Sequence, residues 1–138
     1  MIEDQHACVE VVYRFYRYLD QREYGQLDSL MTRDGIYVRP SGAHVPAGPS
    51  LIADLGKGSP TAAYAHLLTN VYAVVAGDGA RVHGYMTVFQ HDAGTAASAP
   101  RPLTQPTSIR DLVIHLRKEE GSWKVQRVDN QLLFRKQG

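Results

Sequence analysis

Two side chains of this sequence have the type and setting for proton transfer, Asp20 and His66. Asp20 ends an amphipathic stretch whose polar stripe is Glu10, Arg14, Arg17 and Gln21, at spacings of four, three and four. On a helical projection Asp20 falls off that stripe, beside Val9, Tyr13 and Tyr16. A carboxylate on an apolar face must be paired or protonated, because burying a bare charge is costly. Such a group suits a general base, or an anchor that orients a histidine. A second reading competes: Asp20 and Glu23 have the D-x-x-E form of a capping box, which would spend Asp20 on the start of the next helix. His66 lies in the middle of a strand pattern, alternating with Tyr64, Leu68 and Asn70 on one face. An imidazole that titrates near neutrality can take and return a proton in one turnover. A histidine on an apolar face can equally be hydrogen-bonded packing. Tyr13, Tyr16, Tyr24 and Tyr64 offer hydroxyls to a polar ligand, or rings to a core with a wet tip.

The remaining candidates are weaker. His83 alternates with Tyr85, Thr87 and Phe89, and His115 with Val113; strand period gives their parity but not their direction. His6, His44 and His91 fall near ends or loops and read as surface residues. No C-x-x-C or H-E-x-x-H spacing occurs, so no metal is expected. The single cysteine, Cys8, excludes an internal disulfide, reads as a small buried hydrophobe, and fits a reducing cytoplasm. Asp129 and Asn130 point to opposite faces of one strand, so only one of them can see a given cavity. Trp123 opens that strand and reads as core or interface packing.

The elements that must carry these residues follow from periodicity. Residues 5 to 21 read as a helix, and a short one follows with Tyr24, Leu27, Leu30 and Met31 on one side. Asp34-Gly35 stops it, and residues 36 to 39 form a short strand ended by Pro40. A loop rich in Pro and Gly spans 40 to 49, then a third short helix spans 50 to 55. Four long strands complete the chain: 64 to 75, 80 to 91, 108 to 118 and 122 to 134. Gly77-Asp78-Gly79 and Glu119-Glu120-Gly121 turn two hairpins. Residues 93 to 106, rich in Ala, Pro, Ser and Thr, read as a flexible loop. Helices gathered at the N-terminus and consecutive hairpins predict one α+β domain, 1–138, with helices on the concave side of a curved antiparallel sheet.

Composition narrows the function. At 138 residues with 43% hydrophobic content, the chain can bury a core as one domain. A net charge of +1, with scattered basic residues, provides no field for nucleic acid or anionic lipid. The longest apolar runs are too short to span a bilayer, and the opening Met1-Ile2-Glu3-Asp4 is unlike a signal segment.

Three stretches resemble the SnoaL-like (polyketide-cyclase-like) branch of the nuclear-transport-factor-2-like (NTF2-like) superfamily. They are Tyr18 to Leu27 followed by Asp34-Gly35, the run Ala65-His66-Leu67-Leu68-Thr69-Asn70-Val71, and Gly121-Ser122-Trp123-Lys124-Val125. The resemblance implies a cone of helices in the concave face of the sheet, and a homodimer through that sheet. It also places Asp20 and His66 at the positions of an acid/base pair in the dehydratases of that branch. Tyr16, four residues before Asp20, would be their assisting tyrosine, and Asn130 a ligand contact. The implied activity is a cofactor-independent dehydratase, isomerase or cyclase acting on a small apolar or aromatic molecule. The alternative is a binding or dimeric interaction module of the same fold, without chemistry; one fold hosts many functions.

Overall fold

The computed structural model describes residues 2–137. Helix α1 (Ile2–Asp20) and helix α2 (Tyr24–Ser29) come first, then β1 (Met31–Val38), β2 (His44–Pro46) and helix α3 (Pro49–Leu55). The four long strands are β3 (Ala63–Ala76), β4 (Gly79–His91), β5 (Ser108–Glu119) and β6 (Ser122–Arg135). All lie in one six-stranded sheet of order β2-β1-β6-β5-β4-β3. Every pairing is antiparallel except β1 with β6, which is parallel. The sheet is thus mostly antiparallel, as expected, with this one parallel pairing. Hairpins impose antiparallel pairing only on neighbours in sequence, whereas β1 and β6 are separated by most of the chain and are free to run together.

The alternation of the strands divides the sheet into two faces. Val82, Met86 and Val88 of β4, Leu112, Ile114 and Leu116 of β5, and Val125 and Val128 of β6 are all buried on the concave side. Onto this face α1 lays Cys8, Val12, Phe15 and Tyr16, its buried stripe at spacings of four, three and one. Its polar face carries an exposed Glu10–Arg14 ion pair at 2.8 Å. The convex face keeps Leu67, Tyr72, Val74 and Tyr85 exposed.

Strand β3 breaks its own period. Its register with β4 shifts between Thr69 and Tyr72, and Asn70 takes a left-handed conformation with φ 54°. The extra residue reverses parity, so Leu68 before the bulge and Val71, Ala73 and Val75 after it all pack against the core. Asn70 is consequently exposed and does not share the face of Tyr64, His66 and Leu68 as strict alternation predicted. The second helix also ends sooner than expected: α2 stops at Ser29 and β1 begins at Met31, ahead of Asp34-Gly35. Among the described residues no helix is long and apolar enough to cross a membrane.

Candidate active site

Asp20 is the last residue of α1, and its carboxylate is turned wholly toward β3. The backbone N–H of His66 donates to Oδ2 at 2.9 Å, and the His66 ring meets Oδ1 through Nδ1 at 2.5 Å. The side chains are 19% and 12% exposed, so the pair is largely shielded from water. This overturns the capping-box reading: α2 starts from Glu23 with no side-chain cap, and Asp20 spends nothing on it. With Asp20 ionised, the ring contact requires Nδ1 to carry the hydrogen. In the neutral imidazole Nε2 is then a lone-pair acceptor, and among the described residues it has no hydrogen-bond partner.

His66 stands in the wall of a cavity of about 510 Å³ between the helices and the concave sheet. Small-molecule sites fall in this range of volume. Of the residues singled out from sequence, Asp20, His66, Tyr16, Tyr24, Tyr64 and Asn130 all line it. Tyr13 does not; it is 44% exposed. It sits about 120° round the helix from the centre of the buried stripe, one turn before Tyr16 but on the wet flank. The imidazole lies between two of the tyrosines, with ring centroids 5.5 Å from Tyr16 and 6.1 Å from Tyr64. Tyr16 is 2% exposed, and its hydroxyl is buried with no hydrogen-bond partner among the described residues. Burial pushes its pKa well above the ordinary phenol value, so Tyr16 remains a neutral O–H donor.

Five charged residues of the lining were not singled out from sequence: Arg22, Arg39, Asp54, Lys57 and Arg110. Arg39 and Asp54 pair with each other at 3.0 Å. Arg110, on β5, donates from Nη1 to Asn130 Oδ1 at 2.9 Å. Arg22, in the α1–α2 turn, donates to the carbonyls of Ser59 (2.9 Å) and Ala62 and so ties that turn to the loop at the cavity mouth. Parity alone was available for Arg110, which alternates with Leu112 and Ile114; a cation on that face was the legible signal.

The other candidates lie elsewhere. His83 stacks on Tyr72 at 4.8 Å on the convex face, and His115 lies 3.8 Å from Asp129 there. Asn130 faces the cavity while Asp129 pairs with Arg127 outside at 2.7 Å, the division that strand parity predicted. Among the described residues no group of three or more His, Cys, Asp or Glu side chains is placed to hold a metal ion.

This architecture is shared by solved proteins of low sequence identity. An NTF2-like protein with a cystatin-like fold from Novosphingobium aromaticivorans superposes with a TM-score of 0.76 at 22% identity, over 96% of this chain and 83% of that one. ActVI-ORFA from Streptomyces coelicolor does so at 0.73 and 14%, over 92% and 95%. A protein from Catenulispora acidiphila, in complex with S-DNPA, does so at 0.75 and 11%, over 92% and 91%. The fold is therefore the NTF2-like cone. Residues 1–129 match the SnoaL-like domain, and the chain belongs to that family. No curated protein matches it in sequence.

Proposed function

We propose that the protein is a cofactor-independent enzyme of the dehydratase, isomerase or cyclase kind, which abstracts a proton beside a carbonyl of a small, largely apolar molecule. The observation that carries this is the double contact of Asp20 on His66, at the wall of an open cavity, with Nε2 unpartnered among the described residues. In this reading Nε2 takes the proton, the C–H electron pair moves onto the carbonyl oxygen, and Asp20 stabilises the imidazolium that forms. The unpartnered Tyr16 hydroxyl donates to the developing oxyanion. The proton on His66 then leaves with a β-hydroxyl as water, or returns to another carbon. In a cyclisation the carbanion attacks a second carbonyl and the proton goes to its oxygen. Tyr24 and Tyr64 line the body of the substrate, and Asn130 acts through Arg110.

Binding of a small molecule is in keeping with the family and with the Catenulispora protein held in complex with S-DNPA. Assembly as a homodimer fits the exposed Leu67, Tyr72, Val74 and Tyr85 of the convex face, and a reducing, cytoplasmic setting fits the lone buried thiol of Cys8. The test is proton exchange, which precedes every one of these outcomes. An aryl β-hydroxy ketone is incubated in D₂O and loss of its α-proton signal is followed by NMR. The wild type is expected to exchange it, and His66→Ala to be slower by about 10²-fold or more. Equal exchange rates in wild type, His66→Ala and Asp20→Asn would remove the proton-transfer reading.

A further inference from the structure

The lining of the cavity is unbalanced in charge. Arg22, Arg39, Lys57 and Arg110 face only Asp20 and Asp54, an excess of two positive charges in a chain whose formal net charge is +1. The two carboxylates are already engaged, Asp20 on His66 and Asp54 on Arg39. Arg22 is occupied by two backbone carbonyls of the mouth loop. Lys57 also lacks a carboxylate partner among the described residues but is exposed, whereas Arg110 is half-buried on the concave face and its side-chain hydrogen bond goes to the neutral amide of Asn130. No carboxylate pairs with it among the described residues. Its charge is felt by both buried phenols of the cavity: burial raises Tyr16 and Tyr37, and Arg110 opposes the rise at each.

A guanidinium offers five N–H donors in a planar fork. Asn130 accepts one of them and holds the group still, which leaves an unpaired fork in a partly desolvated wall. That arrangement fits a planar anion. We propose that the cavity takes a substrate bearing a carboxylate, and that Arg110, steadied by Asn130, is the residue that receives it. This names the substrate class for the cavity treated above and rests on its being a ligand site.

Register sets the length of that substrate. Val88 faces His66 on one side and Ser108 on the other, while Met86 faces Leu68 and Arg110. His66 and Arg110 therefore stand two strands apart and offset by one step along the same face. At ordinary sheet spacings their backbones are roughly 12 Å apart. The Arg110 guanidinium leans toward Asn130 on β6, away from β3, which leaves the cavity floor of Met86 and Val88 on β4 between it and His66, enough for a flat ring system. A carboxylate held by Arg110 would thus lay the body of a flat aromatic acid over β4, with its far end toward His66.

The matched probes are naphthoate and naphthamide, equal in shape and different in charge, with binding to the full chain followed by ligand-detected NMR. Naphthoate is expected to bind about tenfold to a hundredfold more tightly at low salt, with the gap closing as ionic strength rises. Arg110→Met should abolish the preference. Asn130→Asp, which supplies an internal carboxylate to the same guanidinium, should abolish it too and guards against a folding defect in the first variant. His66→Ala should retain it, so failure of the proton-exchange test leaves this one standing, and the reverse. Equal affinity for the two probes, absence of binding by both, or a preference that survives Arg110→Met and Asn130→Asp in folded protein would overturn the proposal.

Discussion

Asp20 holds His66 at two points, ring and backbone, with one carboxylate oxygen for each. The position is adverse for an anion taken alone, because the C-terminal end of a helix carries partial negative charge. Two N–H donors offset this, and they also fix the imidazole in rotation and in tautomer. A helix end and a strand are thereby joined through the same atoms that prepare the base.

Replacing Asp20 by Asn tests both roles. The amide oxygen can accept one donor, but its NH₂ then opposes the other. Loss of the charge-assisted bonds is expected to cost about 1.5–3 kcal/mol in urea unfolding. Proton exchange should fall by about 10²-fold or more, because an amide NH₂ facing Nδ1 favours the tautomer with hydrogen on Nε2. Nitrogen-15 NMR of the imidazole reads this directly: Nδ1–H in the wild type, Nε2–H in the variant. An unchanged tautomer with lost activity would mean that Asp20 acts by charge alone.

Tyr16→Phe should separate stability from activity. The hydroxyl is buried without a partner among the described residues, a state that costs about 1–3 kcal/mol relative to a satisfied or absent group. Removing it should leave the ligand-free protein as stable as the wild type or more so, measured as Tm. Turnover should nonetheless fall by about 10²-fold if the hydroxyl meets an oxyanion. A drop in Tm would show that the hydroxyl is bonded, through water, in the resting protein.

The loop that carries Lys57, Gly58 and Ser59 into the cavity mouth is tied down by Asp92. The Thr61 hydroxyl donates to its Oδ1 at 2.6 Å, and the Gly94 N–H at 3.0 Å. Hydrogen bonds from Thr61, then Ser59, then the Gly94 backbone lower its pKa from the ordinary 3.8 to about 2. The folded state thus favours the ionised form, and the stability this provides is present above the ordinary value and lost as pH falls through about 2. Tm of the wild type should exceed that of Asp92→Asn from neutral pH down to about pH 4, with the curves converging near pH 2. Parallel curves throughout would mean that the tie does not depend on charge.

Most of this architecture could be read from periodicity because the long strands are each wet on one face. The turns at residues 77–79 and 119–121 are chemically marked, so β3 to β6 were placed within two residues of their observed ends. Pairing between β1 and β6 was not legible, since nothing local in Met31–Val38 encodes a partner that lies beyond four other strands. The same limit hid the direction of His66 and the use of Asp20. Helical projection put Asp20 on an apolar flank, yet the D-x-x-E pattern offered a local partner, and only the tertiary fold decides between Glu23 and His66. Tyr13 was misplaced by the same projection, because a flank at the end of a helix meets the sheet and one turn earlier meets water. Arg110 was legible as parity alone; its meaning depends on Asn130 in the neighbouring strand.

The β3 bulge is the local feature on which the site depends, and Gly84 is what permits it. Two-sided alternation would put His66 and Val71 on opposite faces; the extra residue between Thr69 and Tyr72 brings both to the concave side. Opposite the bulge, a Cβ on Gly84 would lie 3.0 Å from Val71 Cγ2 and 3.3 Å from the Thr69 carbonyl oxygen. Those atoms belong to the bulge, and they must give by a few tenths of an ångström to admit a methyl group. Gly84→Ala is therefore expected to cost about 1–3 kcal/mol in urea unfolding, by overpacking rather than by lost contact. Because the strain falls between the halves of β3, exchange at His66 should also slow, while the preference for naphthoate at Arg110, set by β5 and β6, should persist. If Gly84→Ala is as stable as the wild type, the bulge can shift at no cost, and the orientation of His66 must be held by Asp20 alone.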